Sequence, residues 1–276
     1  MWLSCWKRGL SSVGWLLTAV GWSRVNCRRR YGMAVLLGLL LARVAEAAPA
    51  DALFRYATNA FNAGDYAQAV TAFSQAAALE PASGTLQNLG NAEWQSGRAG
   101  PAIVAWEQAL WLNPLNLSAR MDLRFARRTA QIESPDLNWC EVVSSWLPAN
   151  WWAWVAGLSL WISVGISTVP GMLRWQKAAW HQAVAAFGLA IFLLSIPAHV
   201  GIHSRSKLGF ILSKDVPLRL TPTTEAQFIT RLAAGEPVRL ERRRGIFVLV
   251  RASHTAGWIQ AGEFKLICSP PGAAGG

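Results

Sequence analysis

Two histidines four residues apart, His199 and His203, have the spacing in this 276-residue chain that could hold a metal, because positions i and i+4 share one face of a helix. No Asp, Glu or Cys accompanies them and Pro197 disturbs the same turn, so polar groups at a helix end are the better reading. His181 lies too far along the sequence to join the pair. The four cysteines show no metal spacing either. Cys5 and Cys27 fall near the N-terminus, while Cys140 and Cys268 would pair only if both sit in an oxidising compartment; unpaired thiols are the simpler expectation. No Ser/His/Asp set, carboxylate pair in a recognisable frame, phosphate-binding glycine loop or metal cluster is present. The expectation is a protein that is no enzyme, with no catalytic residue, no cofactor and no metal.

The net charge of +11 suggests nucleic acid until it is counted by segment. Residues 1–48 hold seven basic and one acidic residue, 49–141 six and nine, and 205–276 eleven and five, so no single basic face emerges and a nucleic-acid partner is not expected. Hydrophobic residues make up 53% of the chain and charged ones 15%, a balance that suits a membrane-anchored protein with small modules outside the bilayer.

Two apolar stretches account for that balance. Residues 151–169 carry no charge, and residues 178–202 are interrupted only by two histidines. Each is long enough to cross a hydrocarbon layer of roughly 30 Å as a helix. Only residues 170–177 separate them, which makes a transmembrane hairpin and holds everything before and after it on one side of the membrane. Trp146, Trp151, Trp152 and Trp154 gather at one end, with Trp175 and Trp180 at the other, where interfacial belts sit. Arg174 and Lys177 in the turn place it on the cytoplasmic side, whereas Glu133, Asp136 and Glu141 precede the first crossing.

The N-terminal region agrees with export. Met33 to Ala42 is a ten-residue apolar core preceded by Arg28, Arg29 and Arg30 and followed by the small-x-small site Ala45-Glu46-Ala47, the parts of a signal peptide. Residues 1–32 carry four tryptophans and six basic residues, unusual for such a leader, so either translation starts at Met33 or the leader is long.

From Asp51 the chain is alanine-rich and repeats itself. Ala69 and Ala102, Phe73 and Trp106, Ala76 and Ala109, Leu79 and Leu112, Pro81 and Pro114 are each 33 residues apart. Small residues let two helices approach, the aromatics fill the space between units, and the prolines end the second helix. Leu117 to Ile132 reads as a closing helix with Leu117, Met121, Leu123 and Phe125 inward and Arg120, Arg124, Arg127 and Arg128 outward, either solvated or facing an acidic peptide or lipid headgroups. This spacing resembles the tetratricopeptide repeat, whose small, aromatic, small and proline positions are met by Ala69, Phe73, Ala76 and Pro81 and again by Ala102, Trp106, Ala109 and Pro114. Leu89-Gly90 matches the family's first-helix pair in the second unit. The resemblance implies binding of peptides or proteins and no chemistry.

After Ser213 the period becomes two, with Val216, Leu218 and Leu220 alternating with Pro217, Arg219 and Thr221, and five or six short strands follow between turns. The order of Val216 to Arg219, Pro222, Leu232 with Gly235, and Gly257-Trp258-Ile259 resembles a bacterial SH3-type domain, a small all-β barrel with Trp258 in its core. Such domains often bind cell-wall peptides or proteins. Arg242, Arg243 and Arg244 read as a basic turn.

The fold expected is therefore a multidomain membrane protein: all-α tetratricopeptide helix pairs, a two-helix transmembrane hairpin and a small SH3-like barrel. Its predicted boundaries are a leader over 1–47, a repeat module over 50–132 with units 50–82 and 83–116 and a cap over 117–132, a linker over 133–150, the SH3-like domain over 208–267, and a tail, expected to be disordered, over 268–276. That architecture resembles the BatE-like proteins of bacterial aerotolerance operons. The resemblance implies a two-pass inner-membrane scaffold with both extramembrane domains periplasmic, working beside Bat-type membrane or periplasmic partners in envelope integrity or aerotolerance; peptidoglycan binding through the SH3-type domain is the alternative.

Overall fold

Five short helices open the part of the chain that the structure, a computed structural model, describes: residues 48–172, 179–253 and 255–268. The leader, with Arg28 to Arg30 and Met33, the topology residues Arg174 and Lys177, and the tail beyond Cys268 lie outside the described residues. The helices are α1 (Ala48–Asn62), α2 (Tyr66–Leu79), α3 (Ser83–Gln95), α4 (Ala99–Leu112) and α5 (Leu117–Ala130). Their limits follow from capping chemistry. The Asp65 carboxylate accepts from the Gln68 amide at 3.0 Å to start α2, and the Asn116 side chain accepts from Ala119 at 3.1 Å to start α5. Gln131 ends α5 in the left-handed conformation at φ 52°, its amide returning to the Arg127 carbonyl.

The repeat positions line the interior of this helical layer. Ala69, Phe73, Ala76, Ala102, Trp106 and Ala109 are all buried, and so is Leu89. Gly90 lets the Trp106 indole lie on α3: a Cβ there would sit 2.5 Å from the indole nitrogen, which donates instead to Asn91 Oδ1 at 3.0 Å. The closing helix is turned from its predicted orientation. Leu117, Met121 and Phe125 are exposed, and Ala119, Leu123 and Ala126 face in. Small residues allow α5 to lie closer to α4 than the long apolar chains would, which rolls those chains outward.

A linker leads to the six-residue α6 (Trp139–Ser144), then to α7 (Ala149–Met172) and α8 (Ala179–Arg205). The last two are long and apolar enough to cross a membrane. Small residues join them: Ser163 Oγ donates to the Ala185 carbonyl at 2.8 Å, and a Cβ on Gly188 would sit 2.9 Å from the Ser159 carbonyl. Large side chains point away, with Trp161, Phe187 and Leu194 about 70% exposed. α8 continues unbroken past Pro197. Gly188→Leu is expected to drive the two helices apart at a cost of about 1–3 kcal/mol, read as a lower midpoint of denaturation in detergent. Gly157→Leu, at a position facing open space, should leave the midpoint unchanged.

The remainder is an antiparallel sheet of seven strands: β1 (Leu208–Ile211), β2 (Val216–Arg219), β3 (Phe228–Leu232), β4 (Pro237–Arg244), β5 (Phe247–Arg251), β6 (Ala256–Gln260) and β7 (Phe264–Leu266). The order is β3-β2-β6-β5-β4-β1-β7, and the end strands β3 and β7 do not pair, so the sheet is open. Arg242, Arg243 and Arg244 belong to β4 and pair with β5; the turn falls after them at Gly245. Trp258 is half-buried, because along β6 the inward positions are Gly257 and Ile259 and the alternation of a strand puts Trp258 on the other face.

Residues 50–276 form one compact unit. The sheet has its own core around Val216, Leu218, Leu232, Val248 and Ile259, but Leu208, Phe210 and Ile267 belong to the core of the helical layer. Helices and sheet therefore share apolar interior and are not beads on a string.

Candidate interaction site at the junction of helices, sheet and hairpin

Asn138 and Glu141 form a capping box that starts α6: the Asn138 side chain caps the helix while the Glu141 carboxylate accepts from the Asn138 amide at 2.9 Å. The same carboxylate does far more than cap. It takes two bonds from the Arg239 guanidinium on β4, at 2.6 and 2.8 Å, and one from Ser204 Oγ in the last turn of α8 at 2.6 Å. Arg239 also donates to the Asp136 carbonyl at 2.7 Å. Burial alone would raise the pKa of Glu141, but the bonds from Arg239, Ser204 and the Asn138 amide, with the arginine's charge, lower it to about 2. The fork of Arg239 suits a carboxylate in two places at once, and Glu141 in turn strengthens the arginine's hold on its proton. A fully buried anion thus ties the linker, the end of the hairpin and the sheet together.

Further contacts lie within the helical layer and join it to the hairpin and the sheet. The Arg205 guanidinium, at the end of α8, lies 5.2 Å from the centre of the Trp111 ring on α4. Arg127 turns inward to pair with Glu107, against the outward face expected of it. Gln108 on α4 donates to the Leu266 carbonyl of β7 at 3.3 Å. On α3, Glu93 pairs with Arg98 at 2.7 Å. Burial pushes Glu93 up and Lys265 of β7 down toward neutrality, and the charge of each on the other resists both shifts.

A groove of about 440 Å³ runs between the linker at Gln131, Ile132 and Glu133 and the outer strand β3 at Thr230 to Leu232. It continues into a recess of about 320 Å³ bounded by Arg124 and Arg128. Among the described residues β3 has no strand on its outer side, and its Phe228 and Ile229 are exposed. A groove beside a free strand edge can seat an extended segment by backbone pairing, with side-chain chemistry supplied by its walls.

The residues singled out by sequence fall into two sets. Ala69, Phe73, Ala76, Leu89, Gly90, Ala102, Trp106, Ala109 and Pro114 are brought together in the helical interior, while Pro81 is exposed. Val216 and Leu232 meet across β2 and β3; Arg219 pairs in register with Trp258; Gly235 takes the β3–β4 turn at φ +84°; Gly257 lies against Leu218; Pro222 is half-buried beyond β2. These hold the fold and do not form a site. His199 and His203 gain no third ligand among the described residues, and His199 Nδ1 lies 2.9 Å from the Ser195 carbonyl. Cys140 and Cys268 are both free; burial raises the thiol of Cys268, which reaches the Ser206 carbonyl at 3.1 Å.

Sequence reasoning missed the pairing of Glu141 with Arg239 and Ser204 and that of Arg205 with Trp111. The Asn-x-x-Glu spacing at 138–141 was a readable capping signal. Nothing local points from Glu141 to Arg239, 98 residues away. No family model, curated protein or solved structure matches the chain.

Proposed function

We propose that this protein is a non-catalytic, membrane-anchored scaffold that presents a tetratricopeptide module and an SH3-type module on one face of the bacterial inner membrane. The hairpin crosses the bilayer, its turn is cytoplasmic and both modules are periplasmic. The partners are other membrane or periplasmic proteins, and the setting is envelope integrity or aerotolerance, as the resemblance to BatE-like proteins suggests.

The observation that carries this reading is the buried Glu141, whose bonds to Arg239 and Ser204 lock the linker, the sheet and the end of the hairpin together, while Leu208, Phe210 and Ile267 join the sheet to the helical layer. Fixed geometry serves a scaffold, which must hold two surfaces in register. Support for the repeat comes from the 33-residue offset and the burial of its small and aromatic positions. For the SH3 type it comes from a small antiparallel sheet around Val216, Leu232 and Ile259, which departs from the expected barrel in staying open between β3 and β7.

Crosslinking in intact membranes, followed by identification of the attached molecules, tests the proposal. Membrane or periplasmic proteins joined to residues along the β3 groove are the expected result. Recovery of cell-wall fragments alone would replace it with peptidoglycan binding.

A further inference from the structure

Glu141 and Ser144 point into the junction, and the opposite side of α6 is left uncovered. That side carries Trp139 and Val142, and Trp146 stands two residues past the helix; they are exposed by 66%, 42% and 62%. The spacing of three puts Trp139 and Val142 on one face of α6, and Trp146 follows just beyond its end. Exposed apolar patches of this kind mark an interaction surface, and two tryptophans in seven residues mark its chemistry as interfacial.

The position of α6 identifies the occupant. Gly201, in the last turns of α8, leaves room for the Cys140 backbone to lie against the helix, where any Cβ would overlap the Cys140 carbonyl. Glu141 bonds Ser204 one turn further on. α6 therefore lies beside the turns at which α8 leaves its apolar span, and α7 begins at Ala149, only three residues after Trp146. Trp151 and Trp154 at the start of α7 are exposed as well and extend the aromatic surface toward the hydrocarbon.

We infer that α6 is a foot resting in the outer interfacial layer of the bilayer that the hairpin crosses, with Trp139, Val142 and Trp146 as its lipid-facing side chains. The inference rests on the membrane reading of the hairpin. No lysine or arginine lies between residues 129 and 173, and the one carboxylate of α6 faces inward to Arg239. The foot thus binds by aromatic and apolar partition, not by attraction to anionic lipid.

Spin-label accessibility in the full-length protein, reconstituted in phosphatidylcholine vesicles with its native cysteines replaced by serine, tests this. Labels go on Val142→Cys, on Leu158→Cys within α7, and on the exposed Glu225→Cys of the sheet. Leu158 should be reached by oxygen and shielded from a water-soluble nickel chelate, with Glu225 the reverse. Val142 should show an oxygen-to-nickel ratio several-fold above that of Glu225, unchanged when phosphatidylglycerol is added. Trp146→Cys gives a second reading of the same face should the label at 142 disturb α6. Val142 and Trp146 matching Glu225, with Leu158 in hydrocarbon, would place the foot in water and overturn the inference. Shielding of both foot sites from both reagents would assign the face to a protein and overturn it equally. Nickel reaching Leu158 would remove the membrane reading itself, and the foot with it.

Discussion

Glu141→Ala is expected to destabilise the body formed by the sheet and the helices packed on it by about 3–5 kcal/mol, because it leaves Arg239 and Ser204 without the anion they surround. Arg239 is partly exposed, its side chain keeping 31% of its surface, so water can solvate the stranded guanidinium and the lower end of that range is expected. Denaturant unfolding in detergent micelles, followed by tryptophan fluorescence, measures the loss; a change under about 1 kcal/mol would mean that the pair contributes no more than a surface ion pair. Arg239→Leu in the Glu141→Ala background should recover part of the stability, since an apolar replacement of both partners removes the stranded charge. The same pair sets an acid limit. A carboxyl held at about 2 when folded, and near the ordinary value of about 4.3 when unfolded, stabilises the fold by about 3 kcal/mol at neutral pH. That contribution is whole above the unfolded value and disappears as the pH falls from there through the folded one. Glu141→Ala should remove this part of the acid sensitivity, and an unaltered acid midpoint in the variant would show that the carboxylate is not held as described.

Trp106→Ala is the second large effect expected, about 3–5 kcal/mol from the cavity left between α3 and α4. The indole is 2% exposed, and its loss also strands Asn91 Oδ1. Gly90→Leu in the native background should be as damaging, because a Cβ at that position already overlaps the ring. Combined, the two changes should be less harmful than the sum of each alone, the new leucine filling the space the indole leaves. Thermal denaturation of the two single variants and the double variant decides this, and strict additivity would show that the residues are not packed on each other.

The helical layer could be located from sequence because its period is long and its signals are local: the offset of 33 residues aligns Phe73 with Trp106, and both fill the interior. The hairpin was legible from two apolar runs for a similar reason. β1 was not, because Leu208 to Ile211 is buried on both faces and shows no alternation. α6 is six residues long, too short for any helical period to register. The face of α5 was misread because small alanines, not the larger Leu117, Met121 and Phe125, decide which side can approach α4 closely. Edge strand β3 took its place from pairing with β2 alone, a fact of topology that no window of residues contains. The junction was hidden for the plainest reason. Its partners come from residues 136–141, 204 and 239, and only the folded chain brings them within reach.

The shared interior also orders events in time. α4 ends at Leu112, yet the core that contains it is completed by Ile267, 155 residues later. At a synthesis rate of roughly 5–20 residues per second, the wait is on the order of 10–30 s. The finished helices expose the surface on which Leu208 and Phe210 will land until those residues are made, and the place of Ile267 stays open to the end of the interval. The newborn protein is therefore most open to capture or misassembly before its last strand emerges, and deletions at its C-terminal end should be felt first in helices made long before.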